Sequence, residues 1–355
     1  MSVYQSETYC RDIETVLKSI QIGRLCNKTV LVTGASGLVC SAVVDILLFA
    51  NRKEKTNIRI WAAGRSIAEL QKRFSPFSEK DGLFFAEYDP ETFVPPEQDM
   101  DYLICGAGPS SPDLYVKRPV DTMIANFVGT KRILDYAKEC AAAKTVFISS
   151  SEVNGTRTGN QPLREDTYGI IDPLRVRSSY AMAKKAAETL CISYKEQYGC
   201  NVCIVRPGHI YGPTARKGDE RVSSAFAFDA VSGKDLVMRS SGNQIRSYCY
   251  CLDCASAILF ILMNGENGEC YNISNRDSIV SIREMAEIYS KAAGVRAVVA
   301  EESKPERQDN PMQNSSLDAE KLEDLGWRGL FSAQAGMTHT IRILSEMQRE
   351  RNGRD

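Results

Sequence analysis

Short apolar runs alternate with longer segments of helical composition between residues 27 and 205. The runs are rich in Val, Ile, Leu and Phe and are short, as expected of buried strands. The predicted strands cover residues 28–33, 58–63, 83–88, 102–105, 145–148 and 202–205. The predicted helices cover residues 41–50, 67–74, 122–143 and a segment that begins near Tyr180. This alternation predicts parallel strands joined by right-handed crossovers, and therefore an α/β fold with a doubly wound parallel sheet.

Two other regions flank the alternating part. Residues 1–26 predict an N-terminal helical extension of one or two short helices. From Arg206 onward, Pro and Gly residues break the pattern into short elements. We therefore predict a smaller, irregular C-terminal lobe over residues 206–355, with some segments returning to the main sheet.

A glycine-rich turn separates the first predicted strand from the first long helix, and it runs Gly34-Ala-Ser-Gly37-Leu-Val-Cys40. The first glycine permits a tight turn, the second lets the backbone approach a pyrophosphate, and the helix N-terminus stabilises the phosphate charge. The third position needs a small residue, which Cys40 supplies. We expect Gly34, Ser36, Gly37 and Leu38 to bind a dinucleotide, so residues 27–205 are predicted to form a Rossmann domain for NAD or NADP.

The ends of the next two strands bear on the choice of cofactor. Arg65 stands after the second strand, where an acidic residue usually binds the ribose. An Arg there suits the 2′-phosphate of NADP, which favours NADP over NAD; alternatively, it stacks on adenine or faces solvent. Asp89 follows the third strand and is placed to accept from the adenine amino group, unless it is a loop residue before Pro90.

Tyr180 and Lys184 lie four positions apart in a segment rich in Ala, Met, Lys and Glu. That composition favours a helix, on which both side chains share a face. A nearby cation favours the phenolate form of tyrosine, so the pair has the chemistry of an acid/base centre. The alternative is an ordinary surface helix.

Composition excludes several other classes of function. The 355 residues are 43% hydrophobic and 25% charged, with a formal net charge of −1. We therefore predict neither a nucleic-acid-binding protein nor a membrane protein. The polar first 20 residues do not resemble a signal peptide, so a cytoplasmic location is expected.

Twelve cysteines form two clusters with metal-ligand spacing. These clusters are Cys200-x-x-Cys203 and Cys249-x-Cys251-x-x-Cys254. They lie in apolar or strand-like surroundings, however, where cysteine often acts as a small buried hydrophobic residue. We predict reduced thiols and no metal site.

Seven segments in a fixed order resemble the extended short-chain dehydrogenase/reductases, in the NAD-dependent epimerase/dehydratase group that acts on nucleotide sugars. The likeness runs from Lys28 to Trp327. The matching segments are residues 33–37 (TGASG), 126–130 (NFVGT), 149–155 (SSSEVNG), 180–184 (YAMAK), 206–213 (RPGHIYGP), 246–253 (RSYCYCLD) and 318–327 (DAEKLEDLGW).

The resemblance implies a role for each matched residue. Tyr180 would be the acid/base on a sugar hydroxyl, usually at C4, assisted by Lys184 and Ser150. Hydride would pass from the sugar to the nicotinamide. Further cofactor contacts would come from Gly106, Ala107, Asn126 and Pro207. Substrate contacts would come from Ser151, His209 and Arg246, with the Arg246 guanidinium on the diphosphate.

Glu152 bears on the type of reaction. In the family, an acid at this position is typical of dehydratases and decarboxylases, where it can remove the C5 proton once C4 is a ketone. The alternative is a loop carboxylate without a role. Asn154, His209 and Gly106 depart from the usual family residues, and the first two leave the identity of the sugar open.

We therefore expect an NAD(P)-dependent nucleotide-sugar epimerase or dehydratase whose cofactor stays bound. It is expected to form a homodimer through the helices at 122–143 and 180–198. One alternative is an NADPH-dependent reductase of a ketone or aldehyde. Another is a non-catalytic cofactor-binding protein.

Overall fold

A seven-stranded sheet forms the centre of the molecule in a computed structural model, which describes residues 2–300 and 312–352. The strands, in chain order, are β1 (Thr29–Thr33), β2 (Arg59–Gly64), β3 (Leu83–Glu87), β4 (Tyr102–Cys105), β5 (Lys144–Ile148), β6 (Val202–Pro207), β7 (His209–Tyr211), β8 (Leu236–Met238), β9 (Ile245–Tyr250), β10 (Cys270–Ile273), β11 (Ile279–Ser281) and β12 (Ala297–Val299). The large sheet has the order β10-β6-β5-β4-β1-β2-β3. All its neighbouring strands are parallel.

Helices cover both faces of this sheet. In chain order they are α1 (Glu7–Ser19), α2 (Leu38–Glu54), α3 (Ile67–Arg73), α4 (Pro112–Lys117), α5 (Pro119–Glu139), α6 (Ser179–Tyr198), α7 (Val222–Val231), α8 (Cys251–Asn264), α9 (Ile282–Ala293), α10 (Glu320–Asp324) and α11 (Ala333–Asn352). All five residues of β1 are buried, as expected of a central strand covered on both sides. The predicted α/β, doubly wound fold is therefore confirmed.

The predicted strands agree with the structure to within one or two residues, whereas the helices differ more at their ends. The first long helix begins at Leu38 rather than at residue 41, and α5 begins at Pro119 rather than at residue 122. Gly37 is the N-cap of α2, so the helix starts directly at the glycine turn. Pro119 suits the first turn of a helix because its missing N–H would have no partner there.

The smaller strands assemble beside the carboxyl ends of the large sheet. One sheet has the order β11-β9-β7, and a second pairs β12 with β8. β7 follows β6 after Gly208, so it carries the chain from the large sheet into the smaller ones. β10 then returns to the large sheet, where it pairs with β6. The domain boundaries at residues 26 and 205 remain predictions.

The N-terminal helix α1 packs against α2, α8 and α11. The buried carboxylate of Asp45, on α2, accepts a hydrogen bond from the Tyr9 hydroxyl at 2.5 Å and forms an ion pair with Arg73. Asp12, on α1, contacts the Tyr250 hydroxyl at 3.1 Å and Nδ1 of His339 at 3.0 Å. These contacts attach the extension to elements from both ends of the chain. Across the described ranges, no helix is long and apolar enough to cross a membrane.

Candidate active site

The glycine turn after β1 lies against the end of β4. Gly34 has a φ of +69°, and a Cβ atom there would meet the backbone of Gly106 and Ala107. The hydroxyl of Thr33 accepts hydrogen bonds from the amides of Gly106 at 3.1 Å and Ala107 at 3.2 Å. The two predicted cofactor segments therefore meet at the carboxyl edge of the sheet, where doubly wound folds bind ligands.

The side chain of Asn126 carries a buried acceptor that makes no hydrogen bond with the described residues. Its side chain is fully buried, and Nδ2 donates to the carbonyl of Thr122 at 2.8 Å. Its Oδ1 atom has no hydrogen-bond partner among the described residues. A buried acceptor in this state is costly unless a ligand donates to it. The glycine turn and Asn126 therefore fit a bound dinucleotide.

Ser36 and Leu38 contact the loop that follows β7. The Ser36 hydroxyl accepts a hydrogen bond from Arg216 at 2.6 Å, and the Leu38 carbonyl accepts one from the Thr214 hydroxyl at 3.0 Å. This loop therefore lies over the start of α2. Pro207 ends β6 and is buried.

Arg65 and Asp89 are both exposed at strand ends. Arg65 follows β2 directly, and no carboxylate of the described residues lies within ion-pair distance of it. The Asp89 carboxylate instead accepts from the amides of Glu91 at 2.8 Å and Thr92 at 3.1 Å. The Glu91 amide is the main cause of its lowered pKa. Asp89 thus organises its own loop, while Arg65 is available to a ligand.

Tyr180 lies in hydrogen-bonding contact with Ser150 and with a second tyrosine, Tyr115. The Tyr115 ring stacks on the Tyr180 ring, with centroids 4.3 Å apart and planes 4° from parallel. Burial raises the pKa of Tyr180 to about 12, and the charge of Glu152 adds to this. Hydrogen bonds from Ser150 and Tyr115 lower it.

Lys184 contacts the end of β5. Its Nζ atom donates to the carbonyl of Ile148 at 2.7 Å and lies 4.7 Å from the centroid of the Phe147 ring. Burial lowers the pKa of Lys184 to about 8. Lys184 is not among the groups that act most strongly on the pKa of Tyr180. In this state the ammonium is held by the end of β5.

Glu152 forms a bidentate ion pair with Arg177. The Glu152 oxygens lie 2.7 Å and 3.1 Å from the two terminal nitrogens of Arg177. The Arg177 guanidinium also lies 5.1 Å from the centroid of the Tyr115 ring. Arg177 and Tyr115 were both missed in the sequence analysis. The available signal for Arg177 was its place in the turn Val176–Ser178, directly before α6.

The substrate-side residues gather around β7 and β9. Arg246, on β9, is 6% exposed and donates to the carbonyls of Ile245 at 2.8 Å and Met312 at 3.2 Å. Burial lowers its pKa, and no carboxylate of the described residues forms an ion pair with it. The His209 ring lies 5.7 Å from the Tyr248 ring. Arg221 was also missed in the sequence analysis. Its positive charge lowers the pKa of both His209 and Tyr180.

Asn154 contacts the protein through its side-chain oxygen, whereas its buried Nδ2 atom has no hydrogen-bond partner among the described residues. Its Oδ1 atom accepts from Arg206 at 3.2 Å, and Arg206 pairs with Glu188 at 2.7 Å. This buried ion pair ties the end of β6 to α6. Ser151 lies half-buried at the start of the short helix Ser151–Asn154.

The cysteine clusters pack as apolar residues. Cys203, Cys249, Cys251 and Cys254 are buried, and burial raises the pKa of each thiol. Within the part of the chain that the structure describes, no group of three or more His, Cys, Asp or Glu residues is arranged to hold a metal ion.

Known proteins are similar to this chain over most of its length. UDP-glucuronic acid decarboxylase 6 of Arabidopsis thaliana is 30% identical over 322 residues, which cover 88% of this chain and 87% of that protein. UDP-glucuronic acid decarboxylase 1 of Danio rerio is 29% identical and covers 92% of this chain and 75% of that protein.

Solved structures share the fold. UDP-N-acetylglucosamine 4-epimerase from Methanobrevibacter ruminantium superposes with a TM-score of 0.76 at 21% identity, over 92% of this chain and 99% of that chain. UDP-glucose 4-epimerase from Thermotoga maritima gives a TM-score of 0.75 at 20% identity, over 90% and 99% of the two chains. The model of the NAD dependent epimerase/dehydratase family matches residues 30–274, which is more than half of the chain. The chain therefore belongs to the NAD dependent epimerase/dehydratase family.

Proposed function

We propose that this enzyme decarboxylates a nucleotide-activated uronic acid, with UDP-glucuronic acid as the first candidate. The observation that carries the proposal is the ion pair between Glu152 and Arg177 beside Tyr180. The similarity to UDP-glucuronic acid decarboxylases supports the choice of substrate.

Oxidation of the sugar is the first step. The bound dinucleotide supplies the hydride acceptor. Tyr180 takes the proton of the sugar C4 hydroxyl, while Ser150 donates a hydrogen bond to the same oxygen and orients it. The high pKa of Tyr180 in the free chain must fall before it can act as a base, so this step needs positive charge near the phenol. The ammonium of Lys184 is one candidate, because it lies four positions from Tyr180 on the same helix.

The ketone at C4 decides what happens next. A carboxylate at C6 lies β to this ketone, so the C5–C6 bond can break with loss of carbon dioxide and without any base. The electron pair passes to the C4 oxygen as an enolate, and a proton then adds at C5. Tyr180 would return its proton to the C4 oxygen when this carbon is reduced again. Dehydration or C5 epimerisation would instead require a base that removes the C5 proton.

Glu152 is poorly suited to be that base. Both oxygens of its carboxylate accept hydrogen bonds from the Arg177 guanidinium. In this arrangement neither oxygen is free to accept the C5 proton of a sugar. The pairing also offsets the repulsion between Glu152 and a substrate carboxylate. Decarboxylation thus fits the ion pair better than dehydration does.

The buried Arg246 supports a diphosphate as part of the substrate. Its guanidinium pairs with no carboxylate of the described residues, and a planar fork of donors suits phosphate oxygens. Arg221 adds a second guanidinium near His209. We assign the nucleotide diphosphate to this side and the sugar to the space beside Tyr180.

The family establishes dependence on NAD, and a preference for NADP is a further proposal. It depends on Arg65, which is exposed at the end of β2 and is free to meet a 2′-phosphate. The same observation favours a second candidate function, an NADPH-dependent reductase of a carbonyl compound.

The oligomeric state and location are also proposals. Exposed apolar side chains on α5 and α6 suit a homodimer interface: Val120, Met123, Phe127 and Ile192. We propose a homodimer through these helices and a cytoplasmic location.

Product analysis with UDP-glucuronic acid tests the main proposal. The purified enzyme with NAD should release carbon dioxide and form a pentose nucleotide, without net consumption of the cofactor. Loss of water with retention of the carboxylate would contradict the proposal in favour of a dehydratase. NADPH consumption in proportion to product would support the reductase.

A further inference from the structure

The imidazole of His209 has an unused nitrogen on the substrate side. Its Nδ1 atom is buried and makes no hydrogen bond with any described residue. The ring is positioned by β7, which runs parallel to β9 and places residue 209 opposite Tyr248. A buried nitrogen without a partner is costly unless a ligand completes its hydrogen bonding.

The positive charges of two guanidinium groups lower the pKa of the His209 ring. Arg246 is buried on β9, two positions before Tyr248. Arg221 precedes α7 and is itself paired with Asp219. Burial has the largest effect on His209, and together with these two cations it lowers the pKa of the imidazole to about 4. Without a ligand, the ring is therefore neutral at physiological pH.

The other ionisable groups on neighbouring elements are engaged elsewhere. Helices α2 and α8 pack against β7. Asp45, on α2, pairs with Arg73, and Asp253, on α8, accepts from the backbone amides of Leu330 and Phe331. The Tyr248 phenol on β9 has a pKa raised by burial. Asp45 and Asp253 are therefore not available to offset the positive charge at His209, and Asp219 offsets that of Arg221 only.

We propose that His209 is a diphosphate-binding residue that takes up a proton as the nucleotide sugar binds. The inference rests on the proposed function only in taking a nucleoside diphosphate sugar as the ligand. The diphosphate brings negative charge to Arg246 and Arg221 and so reverses the sign of the field at the ring. A proton from solvent then adds to the imidazole, which donates a charge-assisted hydrogen bond to a phosphate oxygen.

This linkage predicts the direction of the pH dependence. The complex binds one more proton than the free enzyme, at pH values above the free pKa of about 4 and below the raised pKa of the complex. Affinity therefore rises as the pH falls through this window, by about tenfold per pH unit where one full proton is taken up. An Asn at position 209, which the family usually has, cannot take up a proton.

Titration calorimetry with UDP-glucose tests the proposal, because this diphosphate diester has no ionisation near neutral pH and no carboxylate to lose. The binding enthalpy is measured in buffers of different ionisation enthalpy, which gives the number of protons exchanged. The wild type should take up close to one proton per ligand. His209→Asn should take up close to none, and its affinity should be nearly independent of pH.

The other histidine of the chain, His339, supplies the matched control. His339→Asn should retain the proton uptake of the wild type. A His209→Asn variant with weaker binding but unchanged proton uptake would assign His209 a purely structural role and overturn the proposal. It would also be overturned by a wild-type enzyme that binds neither UDP-glucose nor UDP-glucuronic acid. Calorimetry does not depend on turnover, so a failure of the decarboxylation proposal would be seen separately in the products.

Discussion

Cys40 and Gly106 are complementary in size, because the Sγ atom of Cys40 fills the space that a Cβ atom on residue 106 would need. Cys40 takes the third position of the glycine turn, and Gly106 directly follows β4. Cys40 replaces the last glycine of the dinucleotide-binding turn, and Gly106 departs from the usual family residue. The structure indicates that the two departures compensate each other across α2 and the end of β4.

This relationship predicts a coupled effect on stability. Gly106→Ala should destabilise the protein by about 1–3 kcal/mol, because the new methyl group overlaps Cys40. In a Cys40→Ala background, the same change should cost much less. Chemical denaturation of the four proteins gives the coupling free energy. Gly23→Ala is the control, since a Cβ atom there meets nothing within 4 Å. Additive effects of the two changes would contradict the proposed fit.

Arg177 is predicted to be needed because it neutralises Glu152. Arg177→Met should lower kcat/KM for UDP-glucuronic acid by about 10- to 100-fold. The carboxylate of Glu152 would lose its partner and repel the substrate carboxylate, which raises the free energy of the transition state by about 1–3 kcal/mol. The double variant Glu152→Gln/Arg177→Met should recover part of this loss, because it removes both charges.

Steady-state kinetics on the two single variants and the double variant measure this effect. Arg175→Met is a suitable control, because Arg175 is exposed and pairs with Asp172 outside the site. If the double variant were no more active than Arg177→Met, charge neutralisation could not be the role of Arg177.

Lys184 is predicted to reduce the stability of the cofactor-free enzyme at neutral pH. Burial lowers its pKa from an ordinary value of 10.5 to about 8, so the unfolded chain binds more protons between these values. Stability due to this residue therefore rises as the pH increases from about 8 to 10.5. Lys184→Met should be more stable than the wild type at pH 7, by about 1–3 kcal/mol, although it should be inactive.

Urea denaturation of the cofactor-free protein across this pH range tests the prediction. The difference between Lys184→Met and the wild type should shrink as the pH rises. The neighbouring substitution Lys185→Met provides the control for the loss of a lysine from the same helix. If the difference in free energy of unfolding stayed constant with pH, the charge of Lys184 would not destabilise the folded state, and the prediction would be wrong.

Arg65 is predicted to discriminate between the two dinucleotides. Arg65→Ala should weaken NADP binding by about tenfold or more and change NAD binding by less than about twofold, because only NADP carries the 2′-phosphate. Fluorescence titration with both dinucleotides measures this difference. Arg59→Ala, at the opposite end of β2, should affect neither. Equal weakening of both cofactors would instead indicate that Arg65 contacts the adenine or the shared phosphates.

Much of the fold could be predicted from the sequence because the signals are local. Each strand of the Rossmann part is a short apolar run, and the glycine turn after β1 has a spacing that backbone geometry requires. Tyr180 and Lys184 share a helix face for the same reason. Strand β10 was not predicted, because its four residues reach the sheet only by pairing with β6 across more than 60 positions of sequence.

The sequence by itself therefore determined the doubly wound sheet, and it supplied the proposals for the edge that binds the cofactor and for the residues that transfer a proton. Only the tertiary structure decided which side chains act on one another at that edge. Tyr115 stacks on Tyr180 from 65 positions away, and the charge of Arg221, which precedes α7, lowers the pKa of both Tyr180 and His209. Asn154 accepts a hydrogen bond from Arg206, and Glu152 pairs with Arg177. Such pairings depend on burial and on the packing of distant elements, which no local pattern of residues records.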